Sequence, residues 1–201
     1  MLVFWKERLV LLANPKTGTS AIEDALGSLA TLSLPRPAVL KHTNATIYRT
    51  HLQPYFEQNA DGAFQVVALM RNPFDWLGSW YRHRQGEGFT GSPLDTSNLS
   101  FDAFVEAYLQ TPCPEFADVG TQSGFLMQAD RVGVDRIFCY EDMERFVHFM
   151  EDVLDCAIVL PRLNVSPDAA LHLTDDHRAA LTHVLGDDLV LYERVAAGET
   201  A

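Results

Sequence analysis

The hexapeptide Pro15-Lys16-Thr17-Gly18-Thr19-Ser20 concentrates groups that hold anions: one ammonium, three hydroxyls and a glycine that permits a tight turn. An apolar run, Leu9 to Ala13, precedes it, and Ala21, Ile22, Ala25 and Leu26 follow at helical spacing. That order reads as buried strand, turn, helix. Such a turn leaves backbone N–H groups unpaired at the positive end of a helix, a natural seat for phosphate or a related anion. Lys16 stands two positions before Gly18, whereas the usual ATP/GTP loop places its lysine directly after the last glycine. The ammonium therefore approaches its anion from another side.

A second anion grip follows in Arg71-Asn72-Pro73-Phe74-Asp75-Trp76-Leu77-Gly78-Ser79. An arginine at a strand end and a serine on the next helix can share one phosphate, the guanidinium as a forked donor and the hydroxyl as a single one.

These groups need a scaffold. Phe64 to Met70 and Asp135 to Tyr140 read as two further buried strands, and Ala38 to Leu40 as a short one ending at Lys41-His42. Asn44 is placed to cap a helix, and Pro73 suits the first turn of a helix running through Phe74 to Arg84. Helices are also expected over Phe101 to Leu109, Phe125 to Gln128, Glu141 to Leu154 and in two stretches from Thr174 to Val195, with a further short strand at Ile158 to Leu160. Gln85 to Ser100 and Thr111 to Gly120 read as loops, and the first loop and the region Thr111 to Ser123 are expected to line a binding-site entrance. Strands alternating with helices predict a single α/β domain over residues 1–201, three-layered, with a mainly parallel sheet flanked by helices. Ligands of such sheets bind beyond the carboxyl ends of the strands, which puts Lys16, His42 and Arg71 on one rim.

Composition narrows the partners. The 201 residues carry a formal net charge of −12, which argues against generic binding to nucleic acid or anionic membranes. The three cysteines are far apart and show no zinc spacing, so a reducing, cytoplasmic setting is expected, without a disulfide framework. The N-terminal MLVFWKERLVLLA is interrupted by Lys6, Glu7 and Arg8 and does not read as a signal peptide, and no run is long enough for a membrane span. His172, His177 and His183 lack the spacing of a helical metal pair, and no metal is expected. Trp76, Trp80 and Tyr81 are read as core packing, with a contact to adenine at a cleft edge as the alternative, Glu23, Asp24, Asp175 and Asp176 as solvated or helix-start charges, and Cys139 as inert.

Taken together, the two anion grips resemble the sulfotransferases that use 3′-phosphoadenosine 5′-phosphosulfate (PAPS). That family carries a PK-x-G-T-[ST] loop after its first strand and an R-[DN]-P…S element later, in the order and spacing found here. Arg162-Leu-Asn-Val-Ser166 is similar to the family's late N-x-S loop, and Asp188-Leu-Val-Leu-Tyr192 to its closing D-x-x-L-Y helix. The resemblance implies a P-loop NTP-hydrolase-like fold. It implies that Lys16 contacts the bridging oxygen and the sulfuryl group, and that Thr17, Gly18, Thr19 and Ser20 hold the 5′-phosphate. Arg71 and Ser79 would select the 3′-phosphate, with Asn164 and Ser166 adding donor contacts. Lys41-His42 resembles the K-H or K-x-H of relatives, which makes His42 the expected base for the acceptor proton and His51 its reserve. The implied partners are PAPS, its product 3′-phosphoadenosine 5′-phosphate (PAP) and a small-molecule acceptor. Acceptor identity and oligomeric state stay open, as do two rival readings, a P-loop-like nucleotide or small-molecule kinase and a non-catalytic nucleotide-binding protein.

Overall fold

The apolar runs at Leu9–Leu12 (β2) and Gln65–Met70 (β4) form neighbouring parallel strands, with Leu12 opposite Ala68 as the last paired position. Arg136–Cys139 (β7) pairs in parallel on the other side of β4. The computed structural model describes residues 1–161 and 171–199. Leu2–Phe4 (β1) and Leu32–Ser33 (β3) complete a five-stranded sheet in the order β3-β1-β2-β4-β7, and both of their pairings are antiparallel. The sheet is therefore mixed and not, as expected, mainly parallel: two of its four pairings are antiparallel, and its parallel half carries the loops of interest.

Alternate residues of the central strands feed two cores, as strand geometry requires. Leu9, Leu11, Val67 and Leu69 pack against Ile22 and Leu26 of Thr19–Leu26 (α1) and Phe146 and Met150 of Met143–Leu154 (α8). On the other face, Val10, Leu12, Val66, Ala68 and Met70 meet Ala45 of Ala45–Ile47 (α3) and Tyr48. Phe56 of Gln53–Gln58 (α4), Leu126 of Gln122–Leu126 (α7) and Leu191 of Gly186–Ala196 (α10) complete that core. Burial on both sides explains why β4 is a continuous apolar run without alternation. A third core joins Trp76, Leu77 and Tyr81 of Pro73–His83 (α5) to Phe101–Tyr108 (α6) and Asp175–Val184 (α9).

Several caps follow their chemistry. Asn44 Oδ1 accepts from Ile47 N–H, Ser100 from Ala103 and Thr174 from His177. Asn72 accepts from Phe74 and Asp75 N–H at the start of α5, with Pro73 just inside.

Three expected elements differ. Ala38 to Leu40 is not a strand but the start of a short helix, Ala38–Lys41 (α2). The place beside β1 is taken by β3, and Val39 and Leu40 are 70% and 45% exposed, so their apolar character did not signal sheet burial. Ile158 to Leu160 is outside regular structure, with Ile158 N–H donating to Glu151 Oε1 at 2.8 Å instead of to a neighbouring strand. The helix expected at Phe125 to Gln128 lies earlier, at α7, because Met127–Gln128 (β5) pairs with Arg131–Val132 (β6) in a hairpin. Among the described residues, no helix is long and apolar enough to cross a membrane.

Candidate functional site

Because β2, β4 and β7 run parallel, the segments after them emerge on one rim: Ala13 to Gly18, Arg71 and Tyr140. Gly18 occupies the cap position of α1 in the left-handed region (φ 76°) and has no side chain to offer, so the first-turn N–H groups of α1 have no capping oxygen. Lys16 is also left-handed (φ 64°), a conformation a lysine adopts at a cost and one common at binding loops. The buried Thr17 closes the loop from inside, its hydroxyl donating to the Asn14 carbonyl at 2.8 Å. That uses the hydroxyl proton within the loop. Thr19 and Ser20, in the first turn of α1, are half-buried.

The ammonium of Lys16 lies 5.5 Å from the centre of the Trp80 ring. Burial, with Arg71 and Arg82 nearby, pushes its pKa down to about 8. The loop and Arg71 are thus close enough to repel. Between them stands Tyr140: its ring lies 4.7 Å under the Arg71 guanidinium, and a Cβ on Gly18 would come within 3.2 Å of its Cε2. Arg71 Nε is buried and bonds to nothing among the described residues. A buried guanidinium N–H without an acceptor is costly unless an anion arrives.

Helix α5 locks onto the loop. Trp76 Nε1 donates to the Pro15 carbonyl at 2.9 Å. Trp76, Ser79, Trp80 and His83 have the spacing of one helix face, so the buried Ser79 faces the loop with its neighbours. The reading of these aromatics as core packing holds for Trp76 and Tyr81, which are buried. Trp80 is partly buried against the same core and also lines the site, between Lys16 and the Arg84 guanidinium, which lies 5.4 Å from the ring centre.

His42 reaches the rim by a route other than the expected one. It follows helix α2, not a strand, and its Nδ1 lies 2.7 Å from the Ala13 carbonyl oxygen at the exit of β2. A carbonyl only accepts, so Nδ1 carries the proton and Nε2 keeps its lone pair. Burial holds its pKa below the ordinary histidine value, against the contrary pull of the Ala13 bond. The charges that act on His42 are Lys41, the N-terminal ammonium and Glu23, whereas those that act on Lys16 are Arg71 and Arg82. The two side chains therefore approach the loop from different flanks. Glu23, read as a solvated charge, is partly buried and binds Lys41 Nζ at 2.7 Å, tying α1 to α2 just before His42. His51 is exposed, on the turn after α3. Asn164 and Ser166 lie outside the described residues.

Three residues without a signal in the sequence organise the rim. Gln122 pairs with the main chain of Arg71, Asn14 bridges Gln122 to the Leu69 carbonyl, and Glu141 accepts from Asn72 N–H and the Tyr192 hydroxyl. Their partners lie 51 to 108 positions away along the chain, and only the folded chain brings them to one place. No protein-family model matches this chain, and no curated protein matches its sequence.

Proposed function

We propose that the protein is a PAPS-dependent sulfotransferase with a P-loop NTP-hydrolase-like fold, acting in the cytoplasm on a small-molecule acceptor. The observation that supports this most is the pairing of two anion seats on one rim, the Lys16–Ser20 turn and Arg71 with its buried Nε. Among the described residues, the turn has no side-chain cap and Arg71 Nε no hydrogen-bond partner. A ligand with anionic groups at both ends of an adenosine fits that pair, and the lysine before the glycine separates it from the ATP loop.

PAPS supplies a sulfuryl group that passes to an acceptor hydroxyl or amine, leaving PAP. Within this reading, the first-turn N–H groups of α1 and the Thr19 and Ser20 hydroxyls hold the 5′-phosphate. The Lys16 ammonium neutralises charge that develops on the bridging oxygen as its bond to sulfur breaks. Arg71 and Ser79 hold the 3′-phosphate. Nε2 of His42 takes the acceptor proton as the new bond to sulfur forms, with Nδ1 fixed on Ala13.

Calorimetric titration with PAP and AMP, followed by transfer from radiolabelled PAPS to an acceptor panel, tests the reading. PAP should bind without Mg²⁺ and more tightly than AMP. Equal affinity for the two would sink the two-phosphate site. PAP binding without transfer to any acceptor would favour a non-catalytic nucleotide-binding protein, and Mg²⁺-dependent ATP binding would favour a kinase.

A further inference from the structure

Beyond Leu12 and Ala68 the pairing of β2 and β4 ends and their chains part toward the two anion seats. The side chain of Gln122, 0% exposed at the start of α7, bridges that gap. Its Oε1 accepts from Arg71 N–H at 2.9 Å and its Nε2 donates to the Arg71 carbonyl at 2.8 Å, as a neighbouring strand would. The same Oε1 accepts from Asn14 Nδ2 at 3.2 Å, and Asn14 Nδ2 also reaches the Leu69 carbonyl at 3.0 Å. The Asn14 main chain in turn receives the Thr17 hydroxyl. One carboxamide thus touches the Arg71 exit directly and the Lys16 loop through a single residue.

Gln122 is itself held from behind. The two oxygens of Asp188, 1% exposed on α10, accept from Gln122 N–H at 2.9 Å and Ser123 N–H at 2.7 Å. A buried carboxylate with both oxygens bonded to main chain is rigid and costly to disturb. A glutamine is required at the front because it both donates and accepts across one residue.

We propose that Gln122, held by Asp188, is a positioning residue that fixes the spacing between the Lys16–Ser20 turn and Arg71, and through it the preference for a ligand with two anionic groups. This rests on reading those two seats as the ends of one donor site.

The test uses the full chain and two variants. Gln122→Met keeps the volume and removes every polar contact of the side chain, leaving the main-chain bond to Asp188. Gln122→Asn keeps the chemistry but is one methylene too short to serve Arg71 and Asn14 together. Calorimetric titration measures PAP and AMP affinity, and hydrogen exchange measures the Arg71 amide. In both variants PAP affinity should fall about tenfold or more, while AMP, which needs only the loop, should keep its affinity to within about twofold. The Arg71 amide should exchange faster, with β1 amides unchanged. A merely structural role predicts equal losses for PAP and AMP, and that result overturns the proposal. An unchanged Arg71 exchange rate overturns it too. If the unmodified protein does not prefer PAP to AMP, the sulfotransferase reading is what fails. The exchange rate at Arg71 then decides by itself whether Gln122 ties the two exits.

Discussion

Nδ1 of His42 lies 2.7 Å from the carbonyl oxygen of Ala13, and that single bond both anchors the imidazole to the end of β2 and selects its tautomer. The lone pair on Nε2 is left for an incoming proton. Burial holds the ring neutral by lowering its pKa.

His42→Ala should lower turnover by about 10²- to 10⁴-fold, the usual range for a lost general base, while PAP binding is retained. Wild-type turnover in this variant at neutral pH would exclude the role. A stability effect accompanies it. The unfolded imidazole titrates at about 6.5, above the folded value. Between the two, the unfolded chain binds a proton that the folded chain does not, so this contribution to stability is whole above the unfolded value and is lost as pH falls toward the folded one. Thermal unfolding of His42→Gln across that window should show a shallower acid decline than the unmodified protein.

Arg71→Ala should weaken PAP by about 1.5–3 kcal/mol, the worth of hydrogen bonds to a charged group, and leave AMP nearly unaffected. Arg71→Lys should recover only part of the loss, since a point charge lacks the forked donors and the planar guanidinium that lies over Tyr140. Parallel titrations of both ligands decide it; an equal loss for AMP would place Arg71 at the 5′ end instead.

The strands β2 and β4 and the helix α5 are legible in the sequence because local rules suffice: apolar runs bounded by turn residues, and an Asn-Pro start. The two seats are legible for the same reason, each being contained in one short segment. The N-terminal strand β1 is not, because three residues carry no period and their pairing partner is chosen only by the fold. The same holds for Ala38 to Leu40, where three apolar residues fit a strand or a helix and exposure, unreadable from sequence, decides. Gln122 meets Arg71 across 51 positions and Asp188 across 66, so nothing near Gln122 marks its task. Trp80 marks a subtler limit: helical spacing fixes which residues share a face, and Trp80 on that face packs against the core while also meeting Lys16.

Gly18→Ala should destabilise the fold and the donor site together. At φ 76° an alanine costs about 1–2 kcal/mol of backbone strain. Its Cβ would also stand 3.2 Å from Tyr140 Cε2, so Tyr140 must shift, and with it the surface on which Arg71 lies. Denaturant unfolding and PAP titration should both register the change. An effect on stability alone, with PAP affinity unchanged, would show that Tyr140 does not link the loop to Arg71.

Lys16 carries its charge at the expense of the fold. With its pKa pushed down to about 8, the ammonium is disfavoured by burial and by Arg71 and Arg82, and the cation–π contact with Trp80 offsets only part of that. Between that value and the unfolded lysine value of about 10.4, the unfolded chain holds a proton that the folded chain lacks, so the protein should gain stability as pH rises through this window. Lys16→Met removes the titration. At pH 7 the variant should melt higher than the unmodified protein, by a few degrees for each ~1 kcal/mol relieved, and the difference should shrink toward pH 10. PAP affinity should move the other way, lost in the variant and, in the unmodified protein, declining as pH rises past about 8. A Lys16→Met protein that melts lower at pH 7 would mean that the ammonium is already paired within the fold and is not held for an incoming anion.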